Sequence, residues 1–163
     1  MNDRTATNAV KTVLQANLED PRAQYTNTDR AWLHTDEPLA QATFPRIQIR
    51  KGQPSIQEII GMNGFDFKEQ RVLFLDVQMW SKAPFKWKGT DNLYLQDEEL
   101  LKEWQDKIWL ALKANQQTTY QTYGITGLKL TYVNNPYMEP DTQLYTSTVQ
   151  VRLWYFISGD CSS

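Results

Sequence analysis

Thr5–Leu18 places Ala9, Val10, Val13, Leu14 and Leu18 three or four residues apart, which predicts an amphipathic helix. Asn2 or Asp3 is placed to cap it, and Asp20-Pro21 stops it, because the residue before a proline avoids helical dihedrals. Pro21–Gln41 is polar, carries a second proline at Pro38, and reads as a surface loop. Phe44–Arg50 then alternates. Pro45, Ile47 and Ile49 point one way and Phe44, Arg46, Gln48 and Arg50 the other, which predicts a strand with one buried face. Pro45 donates no backbone hydrogen bond, so the strand begins there or lies at an edge. Ile56–Met62 fits a short strand and a single helical turn equally well, and Gly61 and Gly64 bracket a turn.

Arg71–Trp80 is the clearest central strand, with Leu73, Leu75, Val77 and Met79 on one side. Its other side, Val72, Phe74, Asp76, Gln78 and Trp80, grades from apolar to polar. Ser81–Asn92 breaks the pattern with Pro84 and Gly89. A second helix is predicted from about Leu95 to Ala114, on the stripe Leu101, Trp104, Ile108, Ala111 and Leu112. Asp97, Glu98 and Glu99 near its start and Lys107 and Lys113 near its end follow the order the helix dipole favours. Glu98–Lys102 and Glu103–Lys107 are oriented i,i+4 pairs. Gly124 and Gly127 flank a turn into a strand at Leu128–Val133, and the loop signals Asn134-Asn135-Pro136 and Glu139-Pro140-Asp141 follow. Tyr145–Ile157 alternates throughout and is placed to pair with the preceding strand as an antiparallel hairpin. Gly159–Ser163 reads as a flexible tail.

Helices with one apolar stripe and strands with one apolar face are satisfied together by an α+β arrangement. The expectation is a single domain over residues 1–158, with a four-stranded, mainly antiparallel sheet, two helices on one face and long loops. With 163 residues, 40% hydrophobic and 22% charged, the chain suffices for one core without staples.

Composition then narrows the chemistry. The 17 basic and 19 acidic residues are spread evenly, six and six over residues 1–50, six and five over 51–92, five and eight over 93–163. No stripe is strongly basic, which disfavours binding to a phosphate backbone. No apolar run exceeds the five residues of Ile108–Leu112, far below the roughly 20 of a membrane helix. Met1–Thr5 shows neither a basic start nor a greasy stretch, so no secretory signal is expected. A lone Cys161 excludes an internal disulfide and a cysteine-built zinc site. A lone His34 removes most catalytic triads and histidine-ligated metals. No enzymatic activity, catalytic residue, cofactor or metal is expected.

The carboxylate neighbours Glu98/Glu99 read as a charged helix start, and Glu139/Asp141 as turn residues. Gly61-Met62-Asn63-Gly64 lacks the lysine and strand–helix setting of a phosphate loop. The most informative polar segment follows Trp80: Lys82, Phe85, Lys86, Trp87 and Lys88 interleave cations with aromatics between Pro84 and Gly89. It suits stacking on single-stranded nucleic acid, a protein contact with aromatic anchors and a lysine rim, or a loop folded back over the sheet edge. The near-neutral charge weighs against the first. Trp80, Lys82, Phe85, Lys86, Trp87 and Lys88 are the candidate partner-interface residues.

The order of elements carries a resemblance. A first helix, the strand Phe44-Pro45-Arg46-Ile47-Gln48-Ile49, and the strand Leu75-Asp76-Val77-Gln78-Met79-Trp80 with its following loop form the first half. The helix run Asp106-Lys107-Ile108-Trp109-Leu110-Ala111-Leu112, the loop Pro140-Asp141-Thr142-Gln143-Leu144-Tyr145 and the closing Leu153-Trp154-Tyr155-Phe156 complete it. Over roughly residues 5 to 157 the chain resembles the tail terminator, or tail completion, proteins of long-tailed bacteriophages and related viruses. The long polar insert Pro21–Gln41 and the six tryptophans depart from the shorter members of that family. The resemblance implies a structural virion protein, made in the host cytoplasm, forming a hexameric ring that caps the tail tube, ends its growth and joins tail to head. Implied partners are copies of itself, the tail tube protein and a neck or head-completion protein, with DNA passing through the ring without specific binding and no membrane contact. Another head–tail connector, neck or minor tail protein, and a non-viral protein-binding module, are the alternatives.

Overall fold

A computed structural model describes residues 3–20, 32–35, 44–52, 57–63, 66–82, 86–88, 94–114 and 124–160. In chain order these form α1 (Asp3–Asn17), β1 (Leu33–His34), β2 (Arg46–Lys51), β3 (Gln57–Asn63), β4 (Asp66–Lys82), β5 (Lys86–Lys88), β6 (Tyr94–Gln96), α2 (Asp97–Ala114), β7 (Ile125–Glu139) and β8 (Leu144–Asp160). The α+β class is as expected. The sheet is larger than expected: six strands rather than four, in the order β1-β2-β4-β8-β7, with β3 also on β4, beside a separate β5–β6 ladder.

The sheet is mixed because β1 runs parallel to β2, Leu33 opposite Ile47. That strand lies within the polar insert read as loop, and two residues are too few to show a period. Its neighbour Trp32 packs on Trp104 of α2, centroids 6.3 Å apart. The undecided segment is β3, and Gly61 falls where its register on β4 shifts, as at a bulge; Asn63 pairs with Asp66, and Gly64, the other glycine expected to bracket a turn, lies outside the described residues. Asn134-Asn135-Pro136 is not a loop either. It stays in β7 because two register shifts, at Tyr132/Asn134 and Asn134/Tyr137, absorb the extra residues. β7 is an edge strand, where a proline is tolerated. Gly159 and Asp160, read as tail, pair with Phe67 and Asp66 of β4. Within the segment read as a break, Trp87 pairs with Leu95, and Leu95 therefore lies in β6 and not in α2. α1 runs from Asp3 to Asn17, ending before Asp20; Asp3 sits inside the helix rather than capping it, and Asn2, the other candidate cap, lies outside the described residues.

β4 and β8 form the spine. Seventeen consecutive antiparallel pairs join them, from Asp66↔Asp160 to Lys82↔Leu144, about 55 Å at roughly 3.3 Å per residue. One face of this ribbon is the core. Leu73, Leu75, Val77 and Met79 of β4 and Val149, Val151, Leu153 and Tyr155 of β8 are buried there, with Ile47 and Ile49 of β2. Both helices contribute to that one cluster, α1 through Ala6, Ala9, Val10, Val13 and Leu14, α2 through Leu100, Leu101, Trp104, Ile108 and Leu112. Each such aliphatic side chain contributes about 1.5–3 kcal/mol by leaving water. A buried polar tie crosses the same layer, Gln105 of α2 donating to the Ser147 hydroxyl of β8.

Trp104 is the largest side chain among the described residues that this packing fully encloses. Trp104→Ala is expected to cost about 3–5 kcal/mol in denaturant unfolding. Leu110→Ala, on the same helix but 64% exposed, is expected to stay within about 0.5 kcal/mol of the unmodified chain when both unfold from dilute monomer.

Candidate interface on the open sheet face

The opposite face of the sheet carries no described helix, although Gln48, Val72, Thr146 and Thr148 on it are buried; its exposed side chains, among them Arg50, Lys129 and Phe156, are of another kind than the core's. Register sets them in rows: Arg46, Trp80 and Thr146; Gln48, Gln78 and Thr148; Arg50, Asp76 and Gln150; Phe74, Arg152 and Lys129; Val72, Trp154 and Gly127. Alternation along each strand requires this, since the even-numbered residues of β2, β4 and β8 turn away from the core.

Guanidinium–aromatic contacts organise the surface. Arg152 stands 5.1 Å from the Phe74 ring centroid and 4.8 Å from that of Trp154. Arg46 lies 4.5 Å over Phe44. Such contacts contribute about 0.5–2 kcal/mol each, more as water is excluded. Gly127 makes room for one of the rings: a Cβ there would lie 3.1 Å from the Trp154 indole. Gln150 donates to the Asp76 carboxylate at 3.1 Å across the β4–β8 pair. Burial lowers the Arg46 guanidinium below its ordinary value, although an arginine keeps its charge at neutral pH.

Several polar atoms on this face are enclosed but unsatisfied. Gln78 Oε1, Trp80 Nε1, Arg46 Nε and Arg152 Nε find no hydrogen-bond partner among the described residues. An enclosed polar group without a partner costs about 1–3 kcal/mol. Exposed aromatics border the patch, Phe156 on β8 and Tyr137 on β7.

Two of the six residues predicted for an interface lie on this face. Trp80 sits half-buried between Arg46 and Thr146, and Lys82 is exposed at the end of β4. Lys86, Trp87 and Lys88 form β5, against β6. Phe85 lies outside the described residues. Alternation along single strands set Arg46 and Phe74 on the sides opposite the apolar rows of β2 and β4, but it did not bring them together with Arg152 and Trp154. Their signal is the pairing register, and single strands do not reveal it.

The other candidates fall elsewhere. Glu98 and Glu99 are exposed at the start of α2. Glu139 accepts a hydrogen bond from the Thr142 hydroxyl at 3.1 Å, and its carbonyl accepts one from the Gln143 amide, so it closes the β7–β8 turn. His34 is half-buried on β1. Among the described residues no group of three His, Cys, Asp or Glu side chains is close enough to hold a metal ion. No described helix is long and apolar enough to cross a membrane. On the helix side, an open polar cleft of about 450 Å³ is lined by Arg4, Thr7, Asn8, Thr35 and Lys51, and Asp3 holds the Lys51 ammonium at 3.4 Å. The chain matches no protein-family model and no curated protein.

Asp3 also accepts a hydrogen bond from the Tyr155 hydroxyl. Burial, then the Asp3 carboxylate, push the Tyr155 phenol up to about 12, with Arg71 opposing. A neutral phenol favoured by folding stabilises the chain fully below its unfolded value near 10, and this is lost as pH rises through the folded value. Phenolate absorbance is expected to show one late-titrating tyrosine, shifted to lower pH by Asp3→Asn and absent in Tyr155→Phe.

Proposed function

We propose that the chain is a structural virion protein of the tail-terminator kind, one domain over residues 1–158, working as a ring that caps the tail tube, ends its growth and joins tail to head. The observation that supports this best is the open sheet face. It combines guanidinium–aromatic stacks, exposed Phe156 and Tyr137, and enclosed polar atoms without partners. Arginine and aromatic side chains of this sort are enriched at protein interfaces. The chain acts by contact rather than by turnover. A head-to-tail interface that closes on itself gives a ring. Trp80 and Lys82, with Phe85, Lys86, Trp87 and Lys88 beyond them, supply a second contact, to the tube protein. DNA crosses the ring without being held.

Mass photometry of the purified chain, or electron microscopy of its particle, is expected to find a six-subunit ring. Monomer alone at high concentration, together with particles that carry no such ring, would contradict the reading. Phe85→Ala with Trp87→Ala is expected to leave circular dichroism unchanged and to weaken association with the tube.

A further inference from the structure

The first two and a half turns of α2 are strongly acidic. From Asp97 to Asp106 there are five carboxylates, at 97, 98, 99, 103 and 106, against one lysine, Lys102. Glu99, Glu103, Asp106 and Leu110 recur every three or four residues and form one stripe. Glu99 and Asp106 are exposed, Glu103 bonds Lys107 at 2.8 Å, and Leu110 is the most exposed large apolar side chain among the described residues. The buried side of α2, through Leu101, Trp104 and Ile108, faces the sheet, so the stripe looks away from it.

The part of the open sheet face between Val72 and Lys82 has the opposite sign. Over the rows from Val72 to Lys82 it carries Arg46, Arg50, Lys82, Lys129 and Arg152 against Asp76 and Glu139, a balance of five to two. It also offers aromatic surface, Phe74, Trp154 and Phe156, to receive an exposed leucine. The two patches lie on opposite sides of a helix-on-sheet subunit. Complementary, dissimilar patches on opposite sides are what a heterologous interface uses, whereas a two-fold dimer would set like against like. Complementary potentials of this kind fix register and speed encounter.

We infer that the open sheet face of one subunit receives the acidic Glu99–Asp106–Leu110 stripe of α2 from a second copy of the chain, head to tail. Leu110 seats against the aromatics, while Glu99 and Asp106 meet Arg50, Lys129 and Arg152. The inference rests on the ring reading and names the surfaces that close the ring.

Charge exchange tests it, using exposed positions so that folding is not at stake. Arg50→Glu with Lys129→Glu is expected to lower the apparent association constant at least about tenfold by sedimentation, since like charges are then juxtaposed. Glu99→Lys with Asp106→Lys is expected to do the same. Mixing the two variants should restore assembly with the two alternating, since each reversed face then meets a reversed stripe and each unmodified face an unmodified stripe, and the four-fold variant should assemble again; raised salt should weaken the unmodified chain's association. Far-UV circular dichroism of each variant is expected to match the unmodified chain, and its melt to match that of the unmodified chain diluted to monomer, since assembly itself raises the melting temperature. Rings that survive both reversals overturn this interface and leave the ring reading standing. An unmodified chain that stays monomeric overturns both. Retention of a single-stranded oligonucleotide, lost in Arg50→Glu with Lys129→Glu while assembly is untouched, assigns the basic face to nucleic acid and overturns the inference.

Discussion

Seventeen unbroken backbone pairs between β4 and β8 determine where every other part of the molecule lies. An antiparallel ladder of this length fixes register, and a one-residue slip would exchange the two faces. On the correct register Leu73, Leu75, Val77, Val149, Val151 and Leu153 fall on one side and both helices find a common apolar floor. The opposite side then receives Phe74, Gln78, Trp80, Arg152 and Trp154 without further instruction. Core and candidate interface are two outcomes of one alignment.

The two faces obey different rules. The core side is closed by aliphatic packing, the enclosed Trp104 and the Gln105–Ser147 tie, with the Ser81 hydroxyl finding no partner among the described residues. The open side retains arginines stacked on rings and polar atoms that nothing among the described residues satisfies. Such groups weaken an isolated subunit and strengthen an assembled one if a partner completes them. That asymmetry is the physical basis for reading the chain as a component that acts through surface contact.

Much of this was legible in the sequence, for identifiable reasons. The periods of α1, α2, β2, β4 and β8 were strong because each element meets water on one side and the core on the other. The α+β class followed from them. The misses have equally local causes. Leu33–His34 is too short to alternate, and its parallel pairing to Ile47–Gln48 is a long-range event. Asn134-Asn135-Pro136 carries loop chemistry yet is held in an edge strand by bulges. Gly159 extends a strand because β4 supplies a partner. For the candidate site, the sequence identified the side of each strand and named Trp80 and Lys82, but the Arg152–Phe74–Trp154 stack needed three strand positions to be aligned first. The acidic stripe of α2 read as a solvated helix start, and only the basic sheet face gives it a counterpart.

The central claim is that assembly covers the open sheet face. Hydroxyl-radical footprinting, comparing the isolated chain with its assembled form, reads this side chain by side chain. Oxidation of Phe156 and Trp154 is expected to fall sharply on assembly while that of enclosed Trp104 stays low in both. Equal oxidation of Phe156 and Trp154 in the two states would contradict the account.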